Sequence, residues 1–404
     1  MRRAVGRMRA WVVGGAVGAL GAALAAWGLR TDGTWAERHS LPSYCATDPV
    51  ERTLARSLGG IACALGVLLA AVLAPALARA ARRWSIRGRA GAIAAVCAAL
   101  ACSLFVTELW MRRHFERLTL AARLTVPVAG SSPIARADPR LGWSYVPRRT
   151  TWVRVDDRVV PYTIDADGDR SASVDDAPDP HAPTVLFAGE SIAFGHGLRH
   201  EETIPVLAGR ALHLQAINLA VAGYGSDQAH LRVLDTLPRF PGTVAVVSVF
   251  VPAQIRRNVE TWRPRLALGP DGALDLLPPS SGLRIARLLQ ALPYHGDGAL
   301  RVTAAVLRAT AQAARERGAA PLFLVTNYGR PCLREEGEEP FVVKELFVKQ
   351  GLPFVRVDLE SEDLLDGAFE WHPNPRGAAK LAGAVVKALQ KQLAEAGAAA
   401  VLRP

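Results

Sequence analysis

Three side chains in this chain of 404 residues have the types and the order that nucleophilic acyl chemistry needs. Ser191 follows Gly189 and Glu190, directly after an apolar run at residues 184–188. A serine hydroxyl is a weak nucleophile, so it needs a base within hydrogen-bond reach, a group that orients the base, and donors for the developing oxyanion. Downstream, His372 offers the base and Glu370 the orienting acid. The three together predict a serine nucleophile with a base and an acid.

The spacing of Glu370 and His372 suits the acid–base pair. In an extended segment residues i and i+2 point the same way, so Glu370 can reach one imidazole nitrogen while the other faces Ser191. Pro373 keeps His372 out of helical geometry, because a proline restricts the residue before it. Asp363 and Asp366 are alternative orienting acids. By itself, the His-Pro-Asn sequence also fits a surface histidine near the start of a helix.

Oxyanion donors are expected from the glycine-rich stretch at residues 218–225. Gly223 lets the backbone approach a ligand closely and offers its N–H. The N–H of Ser191 is the second candidate donor. The other interpretation is that Gly223 and Gly225 only make a tight turn between a strand and a helix.

The elements that must position these residues follow a β-α alternation. Buried parallel strands are predicted from five apolar runs with little polar alternation: residues 184–188, 216–219, 243–249, 321–325 and 354–358. Helical patterns lie at residues 204–212, 227–236, 298–317 and 341–350, and a last helix is predicted at 375–396 with Asn374 as its N-cap and Pro375 at its first position. The fold class is therefore α/β, a three-layer, doubly wound, flavodoxin-like parallel sheet of about five strands. Residues 150–164 predict a short hairpin before the sheet, 165–183 a loop, and 257–293 an insertion over the sheet edge.

The serine, glycine and histidine blocks together resemble the SGNH (GDSL-like) hydrolase superfamily, over roughly residues 138–389. The family's Gly-Asp-Ser block appears here with Glu190 in the middle, and its final acid–His block appears with Glu370 as the acid. Asp138-Pro139-Arg140-Leu141-Gly142-Trp143 and residues 165–170 also resemble the lead-in of extracytoplasmic members. The resemblance implies hydrolysis of an ester, or O-acyl transfer, with Ser191, His372 and Glu370 as the catalytic triad.

One family position departs from the pattern. A third block usually carries an asparagine whose side chain donates to the oxyanion, and the equivalent residue here is Ala253. Gln254 is a substitute amide donor, which with Ser191 and Gly223 would complete the oxyanion hole, and Asn258 is a more distant candidate. Loss of one such donor typically costs about 10²–10³ in rate. A degenerate, non-catalytic family member that binds a glycan is therefore the alternative function.

Three apolar stretches precede this domain, at residues 11–29, 58–78 and 90–111. Each is about 20 residues long, which matches the hydrocarbon core of a bilayer. The alternative is a signal peptide followed by buried core helices. The division predicted is a membrane region with three transmembrane helices at 1–111, a linker and lead-in at 112–183, and the SGNH-like domain at 184–404.

Charge sets the expected orientation. The net charge of +11 comes almost wholly from arginine, and part of this excess lies before the first stretch and between the second and third. Positive residues favour the cytoplasmic side, so a multi-pass membrane protein with an extracytoplasmic or periplasmic catalytic domain is predicted. Its substrate is then expected to be an acyl ester of an envelope glycan or lipid.

Other functional classes fit the sequence poorly. There is no basic stripe with interleaved aromatics for nucleic acid, and no cluster that suggests a metal or another cofactor. The apolar stretches lack the internal charges of a transporter. Cys45 and Cys332 would face the oxidising side, where they could pair, but the sequence leaves their pairing open, as it does the oligomeric state.

Overall fold

The fold comes from a computed structural model, which describes residues 2–30, 49–81, eight positions between 101 and 112, 127–155, 157–280, 282, 296–326, 341–365 and 372–395. The chain divides into two compact units. One holds residues 1–43, 47–119 and 282–294, and the other, which contains the α/β part, holds residues 44–46, 120–281 and 295–404.

The N-terminal unit is built from apolar helices. They are α1 (Arg2–Arg30), α2 (Pro49–Leu68) and α3 (Ala74–Ala81), with a π-helical turn at Leu69–Leu73 joining the last two. Helices α1 and α2 approach closely, because a Cβ added at Gly21 or Gly28 would overlap backbone atoms of α2. Small residues at such a contact are typical of helix pairs in membranes.

Two stretches of this unit are long and apolar enough to cross a membrane. Ala10–Arg30 and Gly59–Arg79 each have 21 residues, with mean hydropathy 1.8 and 2.5 and only 11% and 17% burial. The low burial differs from that of a core helix, although a signal sequence near the N-terminus meets the same test as the first stretch. The described residues thus contain two of the three predicted spans. The third, at residues 90–111, lies largely outside them.

The second unit is organised around five parallel strands. These strands are β6 (Thr184–Ala188), β7 (Gln215–Asn218), β8 (Thr243–Phe250), β11 (Ala320–Thr326) and β12 (Phe354–Val357). Their order in the sheet is β7-β6-β8-β11-β12. Each corresponds to one of the five predicted apolar runs, and the doubly wound order agrees with the predicted fold class. Along β6, Val185 and Phe187 face one hydrophobic cluster, whereas Leu186 and Ala188 face another, as expected of a strand covered on both sides.

The sheet has eight strands, so the expected number of about five was wrong. The additional strands are β3 (Arg149–Val155), β4 (Arg158–Ile164) and β5 (Arg170–Ser171), which extend the sheet antiparallel beyond β7. The predicted hairpin is β3–β4, whose side chains alternate between buried and accessible. Its buried face joins the main core, so it continues the sheet. The link to β7 is a single pairing of Arg170 with Asn218, too short to leave a periodic signal in the sequence.

Helices lie on both faces of the sheet. They are α4 (Ser191–Phe194), α5 (Ile204–Leu212), α6 (Ser226–Thr236), α7 (Ala253–Arg257), α8 (Gly296–Glu316) and α9 (Pro375–Glu395). Helix α9 packs on α5, and α8 packs on α6. Two small hairpins stand apart from the main sheet: β1 (Ala135–Asp138) with β2 (Gly142–Tyr145), and β9 (Arg265–Leu268) with β10 (Leu274–Leu277), the latter within the predicted insertion.

Candidate active site

A tight turn after β6 presents Ser191. Gly189 has φ +150°, a conformation that side-chain-bearing residues rarely adopt, and a Cβ there would lie 3.1 Å from the Val249 carbonyl oxygen. Glu190 then caps helix α4, because its Oε1 accepts a hydrogen bond from the Ile192 N–H at 3.0 Å. The turn therefore fixes Ser191 as the first residue of a short helix at the carboxyl edge of the sheet, where ligand crevices lie in such folds.

The structure brings Ser191 and His372 together across the chain. The Ser191 Oγ lies 2.8 Å from the His372 Nε2, well within hydrogen-bond reach. The same Oγ lies 2.5 Å from the Glu190 Oε2. A hydroxyl has only one proton, so the imidazole and the Glu190 carboxylate are alternative acceptors for it. When the Ser191 hydroxyl donates its hydrogen bond to the imidazole, Ser191 has the arrangement of a base-activated nucleophile.

The backbone around His372 is held by a short pairing of two segments. The Leu365 N–H donates to the His372 carbonyl at 2.8 Å, and Leu364 pairs with Pro373. Asn374 accepts a hydrogen bond from the Gly377 N–H at 3.0 Å through its side chain, as a cap of α9 does. This pairing and the helix start fix the position of His372 at the sheet edge.

The acid that orients His372 stays a prediction. Glu370 and Asp366 lie outside the described residues. Asp363 lies against the first turns of α9, where Lys380 Nζ approaches one carboxylate oxygen at 2.8 Å and Arg376 Nε the other at 3.2 Å. Burial raises the pKa of Asp363, but the hydrogen bonds from Lys380 and the Glu360 N–H, together with the charges of Lys380 and Arg376, outweigh burial, so the net pKa is lowered. The Asp363 carboxylate is therefore engaged with α9.

A second histidine, which sequence reasoning did not single out, packs against the first. The ring centroids of His196 and His372 are 4.6 Å apart, with 50° between their planes. Burial lowers the pKa of His196 well below its usual value, and the charges of His372 and Arg170 act in the same direction. His196 is therefore neutral at physiological pH and covers part of the His372 ring without adding a charge beside it.

The glycine loop after β7 adjoins the serine turn. Gly223 has φ +79°, and the Val221 N–H donates to the Gly189 carbonyl at 3.3 Å. The candidate donors, the N–H groups of Ser191 and Gly223, thus belong to neighbouring loops at the carboxyl edge of adjacent strands. Their joint use by an oxyanion stays a prediction.

The amide side chains near the missing asparagine are engaged in the interior. Gln254 is buried, donates from Nε2 to the Val249 carbonyl at 3.1 Å, and accepts from the Ser226 hydroxyl at 2.8 Å. Asn258 donates from Nδ2 to the Thr303 hydroxyl at 2.8 Å. An oxyanion contact from Gln254 stays a prediction, and these bonds give its amide a structural role.

Helix α7 contributes an arginine to the site instead. One guanidinium nitrogen of Arg257, Nη1, lies 3.2 Å from the Tyr224 carbonyl and 3.5 Å from the Glu190 Oε2. Arg257 stands one helical turn beyond Ala253, so the two project from the same face of α7. That spacing is the only sequence signal for it. Arg257 connects the carboxylate beside Ser191 to the glycine loop.

Two aspartates of one acidic loop are paired with arginines. Asp165, Asp167 and Asp169 share one loop, where Arg232 pairs with Asp169 and Arg239 contacts both Asp167 and Asp169. Within the described residues no group of three or more His, Cys, Asp or Glu side chains is arranged to hold a metal ion.

Comparison with known proteins gave likenesses of structure only. No family model and no curated protein matches the chain. Among solved structures, it is similar to an acetyl xylan esterase, Est2A, from Butyrivibrio proteoclasticus, with 12% identity, TM-score 0.33, and coverage of 57% of this chain and 68% of that one. It is also similar to the esterase EstA from a Pseudoalteromonas species, with 15% identity, TM-score 0.32, and coverage of 52% of this chain and 99% of that one. A protein described as lipolytic and of the G-D-S-L family, from Desulfitobacterium hafniense, has 12% identity and TM-score 0.31, with coverage of 51% of this chain and 99% of that one. At this identity and TM-score, function has to be argued from the site itself.

Proposed function

We propose that this protein is a serine esterase of SGNH type, a hydrolase of acyl esters that can also transfer the acyl group to a hydroxyl. The observation that carries the proposal is the 2.8 Å contact between the Ser191 Oγ and the His372 Nε2. Such a contact is the defining feature of a base-activated serine. The glycine loop beside the serine turn supplies the place for the oxyanion.

The reaction proceeds in two halves. The Ser191 Oγ attacks the ester carbonyl while the His372 Nε2 takes its proton, and the carbonyl oxygen becomes an oxyanion that the N–H groups of Ser191 and Gly223 stabilise. The tetrahedral adduct collapses, the C–O bond to the alcohol breaks, and His372 returns the proton to the leaving oxygen. Water, or an acceptor hydroxyl, then attacks the acyl-enzyme while His372 takes its proton. The bond between the acyl carbon and the Ser191 Oγ breaks, and His372 returns the proton to that Oγ.

Glu370 is the proposed orienting acid for His372. A carboxylate that accepts the Nδ1 proton fixes the tautomer with Nε2 free to act as base, and it stabilises the imidazolium once that forms. Arg257 places a cation between the Glu190 carboxylate and the glycine loop, where it offsets the negative charge next to the nucleophile.

We further propose that the enzyme acts at a membrane surface outside the cytoplasm. Three spans are supported by the two apolar helices and by the apolar stretch at residues 90–111. The arginines that flank these stretches support an extracytoplasmic domain. An envelope glycan or lipid that carries an acyl ester is the corresponding substrate. Reporter fusions after Arg113 test this topology, and reporter activity on the cytoplasmic side would refute it.

A non-catalytic, glycan-binding protein is the second candidate. The observation that favours it is that the side-chain amides of Gln254 and Asn258 donate within the interior, to the Val249 carbonyl and the Thr303 hydroxyl. These bonds compete with the role of a third oxyanion donor. Such a protein would keep the crevice and lose turnover.

Two assays on the full chain in mild detergent distinguish the esterase from the binding protein: labelling with a fluorophosphonate probe and hydrolysis of p-nitrophenyl acetate. We expect labelling of the wild type at Ser191, and a loss of turnover of at least about 10³-fold in Ser191→Ala and in His372→Ala. Ser173→Ala, at an exposed serine, is the matched control and should behave as the wild type. Equal hydrolysis by the wild type and Ser191→Ala, with no labelling, would refute the esterase and favour the binding protein.

A further inference from the structure

Strand β2, which lies some 80 residues before the glycine loop, holds that loop by three hydrogen bonds. The Trp143 indole Nε1 donates to the Ala222 carbonyl at 3.1 Å, and the Tyr145 hydroxyl accepts from the Ala222 N–H at 3.0 Å. In the reverse direction, the Tyr224 hydroxyl donates to the Trp143 carbonyl at 2.6 Å. The residues on both sides of Gly223 are thus tied to the same strand.

The bond from Trp143 bears directly on the Gly223 N–H. The carbonyl of Ala222 and the N–H of Gly223 belong to one planar peptide group, in which the two bonds point in opposite directions. A donor that fixes the carbonyl therefore fixes the direction of the N–H as well. Hydrogen bonds in a chain also polarise one another, so an N–H whose carbonyl already accepts a bond becomes a better donor.

The surroundings of Trp143 make it a rigid support. It is 1% exposed, its ring stacks on Trp262 with planes 5° apart and centroids at 5.6 Å, and Tyr224 meets its edge at 5.4 Å. Burial raises the pKa of Tyr145 far above its usual value, so its hydroxyl stays protonated and neutral beside the loop. A clamp of neutral, buried aromatic side chains holds the peptide without placing a charge near the reaction.

We propose that Trp143 is a positioning residue for the oxyanion hole, acting through the Ala222–Gly223 peptide. The inference rests on the proposed esterase function. It gives the lead-in segment a role in the reaction, because β2 aims the Gly223 N–H at the place where charge develops. Loss of the Trp143 indole N–H should therefore lower the rate of the chemical step more than it lowers the affinity for substrate.

The test replaces only the donor. Trp143→Phe keeps an aromatic ring at the position and removes the N–H, and incorporation of 3-benzothienylalanine at position 143 removes the N–H while keeping the bicyclic shape. In the full chain we expect kcat to fall about 2- to 12-fold, the loss of one net hydrogen bond, with KM within about twofold. Affinity for a boronic acid, whose serine adduct is a tetrahedral anion, should fall by the same factor as kcat.

Trp262→Phe is the matched control, since it keeps an aromatic ring against Trp143 and leaves the bond from Trp143 to Ala222 in place. It should leave kcat and boronic acid affinity close to those of the wild type. Unchanged kcat and boronic acid affinity in the two position-143 variants would overturn the inference, and so would equal losses in Trp262→Phe, which would indicate packing alone. Fluorophosphonate labelling of the wild type separates these outcomes from failure of the proposed function, because a wild type that neither labels nor turns over refutes the esterase itself.

Discussion

Arg170 offers a quantitative test of how the serine-bearing helix is supported. Its side chain is buried, and its guanidinium donates to the carbonyl oxygens of Phe194 at 2.5 Å, Gly195 at 2.7 Å and Leu198 at 2.5 Å. These carbonyls lie at and just beyond the C-terminal end of α4, where backbone acceptors lack partners within the helix. The guanidinium also lies 4.6 Å from the Tyr162 ring centroid and 4.5 Å from that of Phe194.

Replacing Arg170 with methionine removes these interactions and leaves an unbranched, apolar side chain in place of the aliphatic part of the arginine. Burial lowers the pKa of Arg170 to about 10, so the wild-type guanidinium is charged at pH 7. The Leu198 carbonyl loses its donor, which costs about 1–3 kcal/mol. The Gly195 carbonyl keeps the Leu198 N–H at 3.1 Å and the Phe194 carbonyl keeps the Asn218 Nδ2 at 3.4 Å, so the two bonds lost there cost about 0.5–1.5 kcal/mol each. The lost cation–π contacts cost about 1–2 kcal/mol. The relieved desolvation of a buried charge offsets part of this sum. We therefore expect a net loss of about 3–5 kcal/mol in the free energy of unfolding.

Urea unfolding of the full chain in mild detergent, followed by near-UV circular dichroism, measures the change. Arg140→Met is the matched control: its ion pair with Asp235 is largely exposed, so its loss should cost below about 1 kcal/mol. The labelling rate of Ser191 by a fluorophosphonate should also fall in Arg170→Met, because α4 loses its C-terminal support. A loss under about 1 kcal/mol in Arg170→Met would refute the reasoning that these three bonds hold the helix.

Two further predictions concern acid stability and the last helix. Burial lowers the pKa of His230 to about 4. Between about pH 6.5 and 4 the unfolded chain therefore binds a proton at this histidine that the folded chain does not bind. The free energy of unfolding should fall as pH drops through that window, by up to about 2 kcal/mol at pH 5. In His230→Gln the urea midpoint should change less between pH 7 and 5, and an undiminished change would contradict this. Gly377→Ala forces a Cβ against the Asp363 carbonyl and should cost activity through the His372 loop, whereas Gly383→Ala in the same helix meets open space and should stabilise by about 0.5–1 kcal/mol. Thermal melting with p-nitrophenyl acetate hydrolysis distinguishes the pair, and equal effects would refute the assigned clash.

The parallel core was predictable because its strands are buried on both faces. Such strands read as uninterrupted apolar runs, and β6 is a clear case, with all five residues buried. The last helix was predictable from its cap, since Asn374 and Pro375 carry a local signal. The extension of the sheet was not, because the pairing of β5 with β7 consists of one residue pair and leaves no period in the sequence.

In the candidate site, the sequence predicted residues that carry a motif and missed those that act through tertiary contact. Ser191 and His372 stand in recognisable blocks, and the structure places them within hydrogen-bond distance. His196 and Arg257 have no such block, and each is placed by the packing of its own turn. Trp143 was visible only as part of a resemblance, because its bond to Ala222 joins residues 79 positions apart.

The separation of 181 residues between Ser191 and His372 has a consequence for biosynthesis. At translation speeds of about 5–20 residues per second, the serine is added about 9–36 s before the histidine. During that interval the growing chain carries a serine hydroxyl with no imidazole beside it. In the proposed esterase, Ser191 therefore gains its base only when the C-terminal segment docks, so a chain still being synthesised cannot attack esters that it meets on the way.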